Sequence, residues 1–137
     1  MAGYSGTPLA KKLGFKEGFR AGFVNPPKGF ENELGSLPDG VEICEILRKP
    51  LDLIVLFVDS QKTLKKEFPR LAEKLASNGM LWISWPKKAS GIITDLSENI
   101  IRDIGLAAGL VDVKVCAVND IWSGLKFVYR LKDRDSL

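Results

Sequence analysis

The residues best placed to do chemistry are two adjacent lysines, Lys87 and Lys88, which follow an apolar run at 80–85 and Pro86. The run is typical of a buried strand, and a helix is predicted to begin shortly after the lysines. Ammonium groups, a hydroxyl group and the amides of a helix N-terminus bind phosphate or carboxylate in proteins. The sequence therefore predicts an anion-binding loop, with a solvated, ligand-free loop as the alternative. The residues assigned to this loop site are Lys87, Lys88, Ser90 and Gly91.

A second loop is predicted to open on the same edge of the sheet. Residues 25–29, Asn-Pro-Pro-Lys-Gly, follow the apolar run 19–24, and loops after neighbouring parallel strands share one edge. Trp122 falls in a predicted turn. An indole there would cover the pocket, contact another subunit or fill a gap at the sheet edge. The ligand-binding residues assigned from these segments are Asn25, Lys28, Gly29 and Trp122.

Motifs of known catalytic and metal sites are missing from the sequence. It contains no histidine, no Cys-x-x-Cys pair, no Gly-x-Ser-x-Gly elbow, no Walker loop and no Gly-x-Gly-x-x-Gly. The commonest general base and metal ligand is therefore absent, and the two cysteines are expected to be small buried apolar residues. We assign no catalytic residue, no metal ligand and no particular cofactor, and we favour a protein that is not an enzyme.

The composition is that of one globular domain spanning residues 1–137. Apolar residues make up 45%, charged residues 27%, and the net charge of +3 is spread along the chain. A mild, dispersed charge does not predict a specific nucleic-acid partner. The longest apolar run, 53–58, is too short to cross a bilayer, and the first residues lack a signal-peptide core. We therefore expect a cytoplasmic protein without a membrane partner.

The pattern of apolar residues predicts alternating strands and helices. The short connector at 47–51 allows two arrangements: the second strand runs antiparallel, or the chain returns without a helix. We prefer the first, because a parallel crossover normally needs about a dozen residues. Ser60 and Asp95 are predicted to cap the two longer helices. Strands are predicted at 19–24, 41–46, 52–58, 80–85, 111–118 and 125–131, helices at 7–14, 28–34, 60–79 and 95–108, and a frayed tail at 132–137.

This order predicts an α/β fold with three layers. A central mixed, mostly parallel sheet of about six strands would carry helices on both faces, with an antiparallel pair formed by the last two strands.

Several runs resemble a family of small uncharacterised bacterial proteins known as a domain of unknown function. They are 3–14, 85–91, 113–117 and Trp122-Ser123-Gly124. The resemblance covers most of the chain, but it implies no function.

A wider resemblance is to Rossmann-like methyltransferases that use S-adenosylmethionine. Residues 16–24 are similar to the first strand of that fold, and 53–58 and 78–84 look like two later strands. The resemblance implies a Rossmann-like fold and a site after the first strand. In that family, glycines form the turn at this place and let the backbone approach the cofactor. This chain has Pro26 and Pro27 instead, which remove two N–H donors and block a close approach of the backbone. The resemblance therefore supports the fold more than the activity.

From these features we expect a non-catalytic or regulatory module that binds a small anionic or nucleotide-type ligand near 87–91. One alternative is a reduced methyltransferase-like enzyme that uses S-adenosylmethionine. Another is a structural or interaction protein that acts as a homodimer or with a partner through an apolar edge. The ligand, the oligomeric state and any reaction stay open at this point.

Overall fold

The computed structural model describes residues 7–136, which form a six-stranded sheet with helices on both faces. The strands are β1 (Arg20–Val24), β2 (Glu42–Ile43), β3 (Leu51–Phe57), β4 (Leu75–Pro86), β5 (Leu110–Ala117) and β6 (Trp122–Tyr129). The α-helices are α1 (Leu9–Leu13), α2 (Phe30–Leu34), α3 (Gln61–Ala72) and α4 (Glu98–Ala107), and 3-10 turns occur at Lys88–Ser90 and Leu131–Ser136.

The strands lie in the order β2-β1-β3-β4-β6-β5. The first four run parallel, β6 is antiparallel to β4, and β5 is antiparallel to β6. The predicted mixed, mostly parallel sheet with a C-terminal antiparallel pair is thus confirmed.

Apolar side chains cover the two faces of the sheet separately. We call them the α1 face, where α1 and α2 pack, and the α3 face, where α3 and α4 pack. The central strand β3 is apolar throughout because it contributes to both faces, with Val55 on the α1 face and Ile54 on the α3 face. Trp82 and Trp85 are buried on opposite faces, as a spacing of three residues on a strand predicts.

The predicted direction of the second strand is wrong. Strand β2 is two residues long and pairs parallel with β1, Glu42 opposite Arg20. Because β2 is so short, residues 44–50 return without a helix, and seven extended residues reach roughly 23–25 Å. The return crosses β1 closely, since a Cβ on Gly22 would overlap Cδ2 of Leu47. Residues 44–50 therefore occupy the position on the α3 face where a crossover helix would otherwise pack.

Helix α3 ends earlier than predicted. It runs three residues past Pro69 and stops at Ala72, because Leu75 already pairs with Leu51 in the sheet. Asn78 and Gly79, which were predicted to end the helix, belong to β4 instead. A Cβ on Gly79 would lie 2.8 Å from the carbonyl oxygen of Leu51, so this close approach of two strands requires glycine.

The helix caps were predicted correctly for α3 but not for α4. The hydroxyl of Ser60 accepts a hydrogen bond from the Thr63 amide at 3.2 Å. Helix α4 is capped by Ser97, whose hydroxyl accepts from the Ile100 amide at 3.3 Å, and not by Asp95.

The segment after β6 forms a 3-10 turn where a frayed tail was predicted, and Arg134 Nε donates to the Tyr129 carbonyl at 3.2 Å. Leu137 lies outside the described residues. Within 7–136, no helix combines the length and the apolar character needed to cross a membrane.

Candidate ligand-binding site at the carboxyl edge

The two loops predicted to form a site lie on the same edge of the sheet. Strands β1 and β4 run parallel with β3 between them, so residues 25–29 and 87–91 both follow carboxyl ends. The turn before β6 reaches this edge as well, because Trp122 pairs with Pro86 and the Lys87 amide donates to the Ile121 carbonyl at 2.8 Å. Three chain segments therefore converge at one rim.

A cavity of about 320 Å³ opens at this rim beside the end of β3. The rings of Phe57 and Trp122 meet edge to face at 5.2 Å and form an apolar wall. An amide, a carboxylate and a hydroxyl group come from three separate segments. The lining residues are Asn25, Phe57, Val58, Asp59, Thr63 and Trp122.

Trp122 separates this cavity from a neighbouring one of about 340 Å³, which includes Pro27 and Lys28. Its indole is half-buried at the first residue of β6 rather than in a turn as predicted. Gly29 and Lys28 line a third cavity, which lies along residues 26–32. The structure thus brings Asn25 together with Trp122, and Lys28 together with Trp122.

The two lysines after β4 stay available to a ligand. Lys88 is exposed and Lys87 is half-buried, and among residues 7–136 neither takes part in an ion pair. The predicted arrangement of free ammonium groups at the rim is therefore compatible with the structure.

Ser90 and Gly91 instead hold the loop in shape. The Ser90 hydroxyl donates to the Lys87 carbonyl at 2.6 Å and accepts from the Ile92 amide at 3.2 Å. The amides of Ser90 and Gly91 donate to the carbonyls of Lys87 and Lys88. The Ser90 and Gly91 amides are therefore used within the turn and are not free to bind an anion.

Asp95 binds the N-terminus of α3. Its carboxylate accepts from the Gln61 amide at 2.8 Å, and its carbonyl accepts from the Gln61 side chain at 3.0 Å. The Thr94 hydroxyl donates to the Asp59 carbonyl at 2.7 Å. These bonds fasten the loop after β4 to the start of α3, where a negative charge stabilises the helix dipole.

We expect Asp95→Ala to destabilise the protein by about 1 kcal/mol, since it leaves the first amide of α3 without its acceptor. Asp95→Asn should lose less, because an amide oxygen still accepts this bond. The free energy of unfolding in urea measures both. Asp103→Ala, at an exposed carboxylate on α4, should change it by less than about 0.5 kcal/mol. Equal effects at the two positions would contradict the proposed fastening.

Asp59 and Thr63, which also line the cavity, were not among the site residues assigned from the sequence. Thr63 reaches the cavity from the first turn of α3, and its place there depends on the residue at which the helix begins.

Ser84, opposite Phe57 in the register, is fully buried, and its hydroxyl has no partner within residues 7–136. In the same part of the chain, no three His, Cys, Asp or Glu side chains are grouped to hold a metal ion.

No protein-family model matches the chain, and no curated protein matches its sequence. Solved structures are similar to it in fold. A TehB-like SAM-dependent methyltransferase from Corynebacterium glutamicum has a TM-score of 0.58 at 10% identity, covering 94% of this chain and 91% of that one. The magnesium protoporphyrin IX methyltransferase from Synechocystis PCC 6803 with bound SAH has 0.58 at 11%, covering 89% and 78%.

A SAM-dependent methyltransferase from Aquifex aeolicus has a TM-score of 0.57 at 17% identity, covering 87% of this chain and 86% of that chain. At these identities the similarity establishes the fold alone. The wider resemblance noted in the sequence is thereby confirmed: the chain has a methyltransferase-like α/β fold.

Proposed function

We propose that this chain binds a nucleoside-type ligand of the S-adenosylmethionine class in the cavity at the ends of β1 and β3. The observation that carries the proposal is the convergence of Asn25, Asp59 and Trp122 on one cavity at the carboxyl edge. Ligands of α/β sheets bind outside the carboxyl ends of the strands. The volume of about 320 Å³ lies at the lower end of the range for small-molecule sites.

The lining groups suit the parts of a nucleoside. The carboxylate of Asp59 can accept hydrogen bonds from sugar hydroxyl groups, and the Asn25 amide can both donate and accept. The indole of Trp122 offers an aromatic surface to a base, a contact worth about 1–3 kcal/mol. A ligand of this kind would bury its base against the apolar wall and keep its polar groups at the rim.

A carboxylate or phosphate of the ligand would meet the lysines of the rim. The loop with Lys87 and Lys88 begins beside Trp122, and Lys28 lines the adjoining cavity. The amino-acid end of S-adenosylmethionine carries a carboxylate beside an ammonium group, and a nucleotide ends in phosphate; lysine ammonium groups can bind either anionic group. This retains the small-anion role for the rim and joins it to the nucleoside cavity.

The loop after β1 differs from the loop that the sequence resemblance implies. Pro26 and Pro27 provide no N–H donors where the sequence resemblance implies glycines. Ligand recognition would then depend on side chains, and the backbone would not approach the ligand as closely. A SAH complex of a structure with a similar fold, from Synechocystis PCC 6803, supports the choice of ligand class.

Calorimetric titration with S-adenosylmethionine, S-adenosylhomocysteine and adenosine tests this proposal. Asp59→Asn and Trp122→Leu should each weaken binding at least about tenfold, or 1.4 kcal/mol. Asp103→Asn, an exposed carboxylate on α4, is the matched control. The Lys87→Ala/Lys88→Ala double variant should weaken binding of S-adenosylmethionine but leave adenosine binding unchanged, because adenosine has no carboxylate.

Two results would contradict the proposal. If none of the three compounds gives a heat of binding, the cavity is not a nucleoside site. If incubation with S-adenosylmethionine yields S-adenosylhomocysteine in proportion to the amount of protein, measured by mass spectrometry, the chain is a methyltransferase rather than a binding module.

A further inference from the structure

A cluster of lysines lies away from this cavity, on the part of the α1 face formed by β5 and β6. The strand register sets Lys114 directly opposite Lys126, and Cys116 opposite Gly124. Like charges directly across a strand pair are destabilising. The sheet therefore holds two positive charges together at a cost in stability.

Lys126 is the less exposed member of this pair. It is half-buried, and its Nζ lies 5.8 Å from the centroid of the Trp82 ring. Burial lowers the pKa of Lys126, and the neighbouring charges of Lys114 and Lys16 lower it further. A cation over an indole recovers about 0.5–1 kcal/mol, so contact with Trp82 opposes the unfavourable effect of the neighbouring charges.

In the described part of the chain, no carboxylate forms an ion pair with Lys16, Lys114 or Lys126. The Cys116 thiol does not supply a negative charge at neutral pH, because burial raises its pKa even though nearby lysines act in the opposite direction. Neither an ion pair within residues 7–136 nor the Cys116 thiol therefore balances the positive charge of the three lysines.

Protection of a sheet edge explains only one of these residues. A lysine on an edge strand discourages pairing with another chain, and β5 is an edge strand in the described sheet. Lys126 is on β6, which lies between β4 and β5, so edge protection gives no reason for a cation there. Local rules of stability are most often broken at functional sites.

We propose that Lys16, Lys114 and Lys126 form a second binding site, for an oxyanion of the phosphate class. The strand register holds Lys114 and Lys126 directly opposite each other on two neighbouring strands, and Lys16 is close enough for its charge to act on Lys126. Lysine binds phosphate as a point charge, and a multiply charged anion among them would turn their mutual repulsion into attraction. The site does not depend on the nucleoside cavity.

Thermal unfolding at low ionic strength, with pyrophosphate as the probe, tests the site. At a tenfold excess over its Kd, pyrophosphate should raise the wild-type Tm by about 3–6 °C. Without the probe, Lys126→Met should have a higher Tm than the wild type, because the repulsion is relieved. With the probe, Lys126→Met and the exposed Lys114→Met should both lose most of the shift. Lys114→Met keeps the test decisive if Lys126→Met does not fold.

Two controls separate this site from other effects. Lys65→Met, at an exposed position of α3 on the opposite face of the sheet, should keep the full shift. A single-stranded oligothymidylate then identifies the source of the phosphate. A shift with the oligonucleotide but not with pyrophosphate would assign the site to a nucleic-acid backbone, and the reverse to a small molecule. Equal shifts in the wild type and both cluster variants, or no shift with either probe, would overturn the proposal.

Discussion

Replacing Gly105 by alanine should destabilise the protein, although alanine is the better helix former by about 1 kcal/mol. A Cβ at this position of α4 would overlap Cε2 of Phe127 and lie 2.6 and 2.7 Å from Cζ and Cδ2. The Phe127 ring is fully buried and meets Phe68 edge to face at 5.1 Å, so it has little room to move. Overpacking of a core costs about 1–3 kcal/mol. We expect a net loss of up to about 2 kcal/mol in urea unfolding, and a larger loss for Gly105→Val.

Gly22→Ala is the matched control for this prediction. A Cβ there would also overlap a neighbour, but that neighbour is the end of the half-buried Leu47 side chain, which can rotate away. The expected change in the free energy of unfolding is less than about 1 kcal/mol in either direction.

Combining Gly105→Ala with Phe127→Leu should recover part of the stability that Gly105→Ala loses, because the smaller side chain at position 127 leaves room for the added methyl group. Strictly additive effects of the two changes would show that glycine and ring are not in contact.

Gly105 also illustrates what a sequence conveys about packing. From its position alone it is a weak point in a helix, and Ile100 and Ile104 are predicted to share the inward face. In the structure Ile100 and Ile104 are partly buried against the core, and Ile101 and Gly105 are buried as well. Periodicity therefore predicts the helix and most of its inward face. It does not predict the close approach of Gly105 to Phe127, because that contact depends on the partner strand.

Strands with a strong local pattern were predicted, whereas connections between distant segments were not. The apolar runs of β3 and of the second half of β4 indicate strands buried on both faces, and the alternation around Phe127 indicates the antiparallel pair. Strand β2 has two paired residues, and no local pattern indicates that Leu47 passes over Gly22 on the way to β3. Loop length alone suggested an antiparallel strand because it assumed a longer one.

The candidate site shows the same division. Its place follows from two loops after parallel strands, which the sequence allowed us to predict. The use of the Ser90 hydroxyl and the nearby amides within the turn does not follow, and neither does the bond from the Gln61 amide to Asp95. Each depends on the exact path of a loop. The cavity itself needs Trp122 beside Phe57, two residues far apart in the sequence.

Trp82 is expected to be among the most sensitive positions in the chain, because it joins α1 to the sheet. The side chain is fully buried, and its Nε1 donates to the carbonyl of Leu13, the last residue of α1, at 2.8 Å. Trp82→Ala should cost about 3–5 kcal/mol through the cavity that it leaves. Trp82→Phe keeps an aromatic ring but leaves the Leu13 carbonyl without a donor, at a cost of about 1–3 kcal/mol.

Trp85→Phe is the control for Trp82→Phe, because it removes the same side-chain volume without removing the hydrogen bond to the Leu13 carbonyl. Trp85 is buried on the opposite face, and within residues 7–136 its indole makes no bond of this kind. Its replacement should cost less than that of Trp82. Hydrogen exchange gives the sharper measurement, because in Trp82→Phe the amides of α1 should lose protection more than those of β3. If both helix and sheet lose protection equally, Trp82 stabilises the whole core rather than the attachment of α1, and the hydrogen bond to Leu13 is not what fixes that helix.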